Sequence, residues 1–484
     1  MQTLKDNILQ GAANLASRRS LQVLGELAGA RGVKVYLVGG TVRELALGRA
    51  APDLDLAVSA QALDLARDLA AGLKGTFVLL DEKERTARVV WQGEILDLAE
   101  FRAPTLKGDL QARDFTINAL ALDLEAVLGE RPLELIDPWG GLEDLAQGLI
   151  RVVRPQNFQE DPLRLLRAYR FAATHGFSLT PETGAAISFY APEFPRVAGE
   201  RVHQELFILL AAPRAAAILG DMDRTGLLTR VFPECIDMKG VEQNGFHHLD
   251  VFHHSLKTVV YLEKVLTDPQ KYFGTLAGEL PHYLRPPLQA ALLKLAALFH
   301  DVGKPQVQGR RASPDRYTFY YHERVGVEIF TAAALRLRFS QAETKTVTHL
   351  ISLHMRPFLL LPTFREGELT TRALGRLVRA ARPHLPGLFA LAMADSLAGQ
   401  GPQKPADAEA VLAELADAAY RFLKDRLEPQ EQRPRLLTGH DLIKLLGLTP
   451  GPRFREILTA VEEAQWEGAI HTRQEALDLA RSLL

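Results

Sequence analysis

Apolar residues recur at helical spacing from the start of the chain: Leu4, Ile8, Ala12 and Leu15 fall three or four apart, which predicts helix within residues 4–30. The pattern then changes. VKVYLVGG is a β-branched run ending in two glycines, TVRELALG reads as a short helix, and APDLDLAVS alternates polar and apolar as a second strand. TFVLLDE, ARVVWQ and EILDLAEF follow as further strands, and RDFTINALALDL continues the pattern. Beyond residue 150 the periodicity is helical almost throughout. The predicted fold class is therefore α+β, a mixed sheet with helices at the N-terminus followed by all-helical segments. We divide the chain at residues 1–150, 151–240, 241–400 and 401–484, with a Pro/Gln/Ala-rich hinge, GQGPQKPADAEA, before the last segment.

Composition narrows the class. At 484 residues, with 47% hydrophobic and 24% charged side chains, the chain excludes a disordered or fibrous protein. One cysteine, Cys235, excludes a disulfide framework and a cysteine-rich zinc site. A net charge of −2 means that any nucleic-acid contact must be a local patch. The longest apolar stretch, Leu288 to Phe299, is interrupted by Lys294 and is too short to span a bilayer. The N-terminus has no apolar leader, so a cytoplasmic protein with no membrane partner is expected.

Two groups of residues carry chemistry. In the first, Gly39 and Gly40 end a strand and open a helix, a junction that lets backbone approach a phosphate, and Arg43 follows one turn later. Asp53 and Asp55 alternate with Leu54 and Leu56, so both carboxylates face one side of a strand. They repel unless a cation lies between them, and magnesium suits few carboxylates plus phosphate oxygens. Asp97, in EILDLAE, is a candidate third carboxylate. In the second group, the block 245–400 holds ten of the fourteen histidines, and His254, His300-Asp301, His322, His354 and Asp395 offer a mixed nitrogen and oxygen donor set for a divalent transition metal. Arg372, Arg376, Arg379 and Arg382 form a helical stripe compatible with an RNA backbone.

LVGGTVRELALGRAAPDLDLAV closely resembles the nucleotide-binding signature of class II tRNA nucleotidyltransferases and bacterial poly(A) polymerases. RDFTINALAL, IDPWGGLEDL, EDPLRLLRAYRFA and VAGERVHQEL match further family segments in order. The resemblance implies a nucleotidyltransferase palm, an all-α neck, an HD domain and a helical tail. It implies magnesium on Asp53 and Asp55, to which Asp97 adds the candidate third catalytic carboxylate read from the strand pattern. It implies nucleotide contacts from Gly39, Gly40, Arg43, Arg113, Asn118, Glu160, Asp161, Arg164, Arg167 and Arg170. Residues 161, 164, 167 and 170 step by three along one helical stripe, and the family uses that stripe to select C or A without a nucleic-acid template.

The implied partners are tRNA and CTP, with ATP as the alternative nucleotide. The tail segment TGHDLIKLLGLTPGP resembles the tRNA-contacting tail of long bacterial members. Two departures stand out. Ala112 precedes Arg113 where relatives usually carry a second arginine. Only fifteen residues separate Asp97 from Arg113, where many CCA-adding relatives carry a longer loop tied to the switch from CTP to ATP. The short loop resembles enzymes that add only CC and leave the adenosine to a separate A-adding enzyme. Full CCA addition, A addition and polyadenylation remain alternatives.

The histidine-rich block resembles the HD phosphohydrolase domain, which implies Ni2+, Co2+ or Mn2+ on those six residues. Lys304 would then hold a phosphate, and hydrolysis of 2′,3′-cyclic phosphates, 2′-nucleotides or phosphomonoesters would follow. A protein that is mainly an HD phosphohydrolase with an RNA-binding module is the alternative from another class, and a non-catalytic RNA-binding or tRNA-chaperone protein is a third.

Overall fold

The alternation between residues 35 and 136 becomes one seven-stranded mixed sheet in the computed structural model, which describes residues 1–312, 315–431 and 435–484. The strands are β1 (Val35–Val38), β2 (Asp53–Val58), β3 (Thr76–Asp81), β4 (Thr86–Trp91), β5 (Glu94–Glu100), β6 (Ala121–Asp123) and β7 (Leu135–Ile136), in the order β3-β4-β5-β2-β1-β6-β7. The β2–β5 pair is parallel and sets Asp53 beside Ile95, Leu54 beside Leu96 and Asp55 beside Asp97. Every other pair in the sheet is antiparallel. Leu54, Leu56, Leu96 and Leu98 are buried on one face, where the Ala62–Leu73 helix brings Leu65, Leu69 and Leu73 down at one-turn intervals. The carboxylates alternate onto the other face.

The chain divides into two compact units. The first comprises residues 1–212 and 221–231, so it holds the sheet and the helices Leu163–His175 and Gly199–Ala211. The second comprises residues 213–220 and 232–484. Its centre is a group of helices, Val251–Thr267, Gln289–Phe299, His322–Arg336, Gln341–Leu353 and Leu385–Ala398, packed on one another. The apolar run around residue 290 is the buried core helix Gln289–Phe299, and its interrupting Lys294 pairs with Glu263 at 2.9 Å. Among the described residues, no helix is long and apolar enough to cross a membrane.

Three arginines of the basic stripe expected to face RNA pair with glutamates of the tail while staying about half exposed. The Thr371–Ala381 helix packs against Pro452–Glu467: Arg372 and Arg376 converge on Glu463, and Arg379 pairs with Glu462. Glu463 is only 3% exposed, and burying a carboxylate requires cationic partners. The stripe therefore fastens the tail helices, which share a small core of Leu442, Ile457, Val461, Ala476 and Leu477. Replacing Glu463→Leu removes the shared acceptor of two half-exposed guanidinium groups, of which Arg372 keeps Glu467 at 3.5 Å, and is expected to lower the unfolding free energy of this part by less than about 1 kcal/mol, read by urea denaturation.

Candidate active sites

In the first unit the two glycines are explained by what their missing side chains would strike. Gly39 has φ +61°, and a Cβ there would lie 2.9 Å from Arg113 Nη1. A Cβ on Gly40 would lie 2.8 Å from Asp55 Oδ2, which instead accepts the Gly40 N–H at 2.9 Å. The Asp55 backbone N–H donates to Thr41 Oγ1 at 2.7 Å, so the turn and the carboxylate strand fix each other. Burial pushes the Asp55 carboxyl above the usual carboxylate range; Arg113 and the Gly40 N–H pull it down, and neighbouring Asp97 pushes it up. Asp97 itself is gripped by Arg88, whose Nε and Nη2 donate to its two oxygens at 2.7 and 2.8 Å. Oxygen donors of this kind fit magnesium.

Arg113 is held from behind. Its Nε and Nη2 donate to Asp109 Oδ2 at 3.3 and 3.1 Å, and Asp109, 4% exposed, also accepts the Arg102 N–H at 3.1 Å. Asp109 belongs to a short helix, Leu106–Gln111, capped by the Thr105 side chain. The whole short connection from β5 to Arg113 is thus an ordered, pinned segment.

The remaining nucleotide candidates of this unit are wired together. Arg43 Nη1 donates to Asn118 Oδ1, and the Asn118 amide donates to Asp114 at 2.9 Å. Asp114 pairs with Arg167 at 3.2 Å, and Glu205 pairs with Arg167 at 3.6 Å and Arg170 at 2.6 Å. Arg43 and Arg170 stack on Phe171 at 4.9 and 3.7 Å from its ring centre. Burial alone would raise the Asp114 carboxyl, but Arg167 and Asn118 outweigh it and hold it below the usual range. Asp114 in turn raises Arg167, whereas burial lowers Arg164 and Arg170.

One expected placement changes. Asp161 is not on the helix with the arginines: it has extended backbone, φ −139°, after the short helix Asn157–Glu160, and Leu163–His175 begins after Pro162. Proline disfavours helical backbone in the residue before it. Asp161 is forked by Arg201 at 3.1 and 2.8 Å. Arg164 donates to the Asn157 carbonyl at 3.1 Å, and exposed Glu160 pairs with Arg154 at 2.9 Å. Sequence reasoning missed Arg88, Asp109, Asp114, Arg201 and Glu205. Asp109 stands four residues before Arg113, a spacing that pairs side chains on a helix, and this was the one local signal available.

In the second unit all six expected ligands converge. Among the described residues, two groups of metal-capable atoms lie within 4.8 Å of one another: His254, His300 and Asp395, and Asp301, His322 and His354. All six are buried. Asp301 joins the groups, 3.2 Å from His300 Nε2 and 3.3 Å from His322 Nε2. His300, His322 and His354 each direct Nδ1 to a carbonyl three residues back, at 2.9, 2.7 and 2.7 Å, which turns Nε2 inward. This nitrogen and oxygen set fits divalent transition metals. Burial opposes charge on His300, but Asp301 and Asp395 outweigh it and push its pKa up to about 10. Burial also opposes charge on these two carboxyls and would raise them, yet His300 and its neighbours hold both well below the usual range. Lys304 Nζ donates to Asp301 at 2.6 Å and to Gln243 at 2.7 Å.

A carboxylate-bearing sheet, arginine-lined helices and a histidine–aspartate centre together define a nucleotidyltransferase joined to an HD domain. Family models agree: "Poly A polymerase head domain" matches residues 35–151, "Probable RNA and SrmB- binding site of polymerase A" 176–238, "HD domain" 251–419, and tRNA nucleotidyltransferase domain 2 matches 413–480. An A-adding tRNA nucleotidyltransferase of Deinococcus radiodurans is 36% identical over 91% of this chain and 93% of its own length. A CC-adding tRNA nucleotidyltransferase of Thermus thermophilus is 37% identical over 91% and 92%. In fold, the chain is similar to the Thermotoga maritima CCA-adding enzyme complexed with tRNA (TM-score 0.62, 23% identity, 96% of this chain and 94% of that one). It is likewise similar to a CCA-adding enzyme in complex with CTP (TM-score 0.65, 21% identity, 98% of each chain). The chain belongs to the tRNA nucleotidyltransferase family. The relatives carry A-adding and CC-adding names alike, and nothing in these similarities supports a separate A-adding partner.

Gly40→Ala forces the Asp55 carboxylate off its backbone donor. It is expected to lower kcat/KM for nucleotide incorporation by on the order of 100-fold with an almost unchanged melting temperature, measured by tRNA extension and calorimetry.

Proposed function

We propose that this enzyme adds the two cytidines of the tRNA 3′ end from CTP, without a nucleic-acid template, and releases pyrophosphate. The tRNA 3′-hydroxyl attacks the α-phosphorus in line; the new O–P bond forms, the hydroxyl proton passes to solvent, and the bond from the α-phosphorus to the α–β bridging oxygen breaks, so that this oxygen leaves with pyrophosphate. Magnesium held by Asp53 and Asp55 would supply charge stabilisation for the attacking and leaving oxygens. Arg113 and Arg43 meet the triphosphate, and the Gly39–Gly40 turn lets it approach the backbone. Asp161 accepts from the cytosine amino group while Arg164 donates to the ring acceptors. Arg164 has donors to spare, since its one short bond, to the Asn157 carbonyl, uses a single N–H of five. Asn118, Glu160, Arg167 and Arg170 hold these groups in place.

The observation that carries the CC reading is the pinned connection after β5: the buried Asp109 ties residues 102 and 113 together, so this segment has little freedom to reset the pocket from cytosine to adenine. Offered tRNA lacking CCA, with CTP and ATP separately and together, the enzyme is expected to stop after two cytidines. Extension to a terminal adenosine overturns the CC reading and leaves full CCA addition. Exchanging Asp53→Ala together with Asp55→Ala is expected to abolish incorporation. Residual activity within about tenfold of wild type, only about 1.4 kcal/mol of barrier, would overturn the ligand assignment.

The second unit supports a hydrolytic side activity. Its six ligands would hold a divalent transition metal, Ni2+, Co2+ or Mn2+, and Lys304, beside Asp301, would meet a phosphate. Substrates of the 2′,3′-cyclic phosphate class are expected to be cleaved with one of these metals. Exchanging His300→Ala with Asp301→Ala should reduce cleavage of 2′,3′-cAMP more than about 100-fold, as loss of a metal site does. Hydrolysis that survives this exchange rules the site out.

A further inference from the structure

Arg88 on β4 is directly opposite Asp97 on β5, and Asp97 is beside Asp55 on β2. A guanidinium and two carboxylates thus form one lateral row across three neighbouring strands. Arg88 engages both Asp97 oxygens, and Asp53 and Asp55 also act on its charge after Asp97. The side chain is half-exposed at 37%, so packing does not require an arginine here. Among the described residues, Asp53, Asp55 and Asp97 do not form a group of three donor atoms all within 4.8 Å of one another, as the HD ligands do.

We propose that Arg88 is a positioning residue and, alongside Arg113, a built-in counter-ion of the transferase site: it fixes Asp97 by a two-pronged bond and lowers the affinity of this carboxylate row for a divalent cation in the nucleotide-free enzyme. A fixed positive charge beside these carboxylates repels an incoming divalent ion. Magnesium is ordinarily held by one or two carboxylates together with substrate phosphates, so a weak site in the free enzyme is consistent with metal arriving with the triphosphate. The inference rests on the reading of Asp53 and Asp55 as magnesium ligands.

The test is a manganese titration of the full-length protein, read by electron paramagnetic resonance, for wild type, Arg88→Met, Arg88→Gln, Arg88→Lys and the double exchange Asp53→Asn with Asp55→Asn. The double variant reports manganese bound elsewhere, including at the HD ligands, and its isotherm is subtracted from the others. Arg88→Met and Arg88→Gln are expected to tighten the remaining site about tenfold, while Arg88→Lys, which keeps the charge, stays within about threefold of wild type. Both neutral variants should lower kcat more than they change KM for CTP, because Asp97 loses its anchor. A merely structural role for Arg88 would weaken manganese binding, and unchanged or weaker binding in the neutral variants overturns the proposal. Coincident isotherms for wild type and the double variant overturn the metal reading of Asp53 and Asp55, and this proposal with it.

Discussion

Crowding of like charge on one face of a sheet is the constraint around which the first unit is built. The parallel pairing of β2 with β5 brings Asp55 and Asp97 side by side, and Asp53 follows on the same face of β2. Carboxylates so close raise one another's pKa unless cations intervene. The chain answers with arginines on both flanks: Arg88 on the neighbouring strand and Arg113 at the end of the pinned loop, where it is the strongest of the charges holding Asp55 down. Each arginine has a reason to stay in place, the first through two bonds to Asp97 and the second through the buried Asp109.

The second unit solves a related problem with different atoms. Asp301 and Asp395 are buried, where a carboxylate without partners is costly; Lys304 Nζ lies 2.6 Å from Asp301, and His300 stands between the two carboxylates at 3.2 and 3.7 Å. Imidazoles whose Nδ1 is tied to a backbone carbonyl present Nε2 in a fixed direction, toward the carboxylates they share. The transferase face is made of oxygen donors on strands, flanked by the guanidinium groups of Arg88 and Arg113. The first arrangement suits a resident ion; the second suits an ion that shares its ligands with a departing substrate.

How much of this was legible in the sequence follows from the range over which each signal acts. The DLDL alternation fixes which face Asp53 and Asp55 share, because side-chain direction in a strand is local. The two glycines announce a close approach, and the six HD ligands are readable because their types and order resemble a family. Arg88 was invisible: nothing along the chain says that β4 pairs with β5 in the register that sets it opposite Asp97. The stripe of Arg372, Arg376 and Arg379 was legible as a stripe, but its occupant, Glu463, lies far along the chain. Asp161 was misplaced for a local reason that the sequence did contain, since Pro162 stands immediately after it.

The short connection after β5 links these threads to specificity. A loop that alters which base a pocket accepts must have at least two arrangements of similar free energy, because a bound nucleotide can shift an equilibrium only as far as it distinguishes the two states. Here Thr105 caps a helix that leaves few free residues, and Asp109 makes three hydrogen bonds from a buried position. Freeing that segment would expose a carboxylate's partners and release Arg113 from its seat beside Asp55. The same bonds that place a cation for the triphosphate therefore also bias the pocket toward a single arrangement. The proposed CC-adding reading rests on how firmly the charge next to Asp55 is fixed.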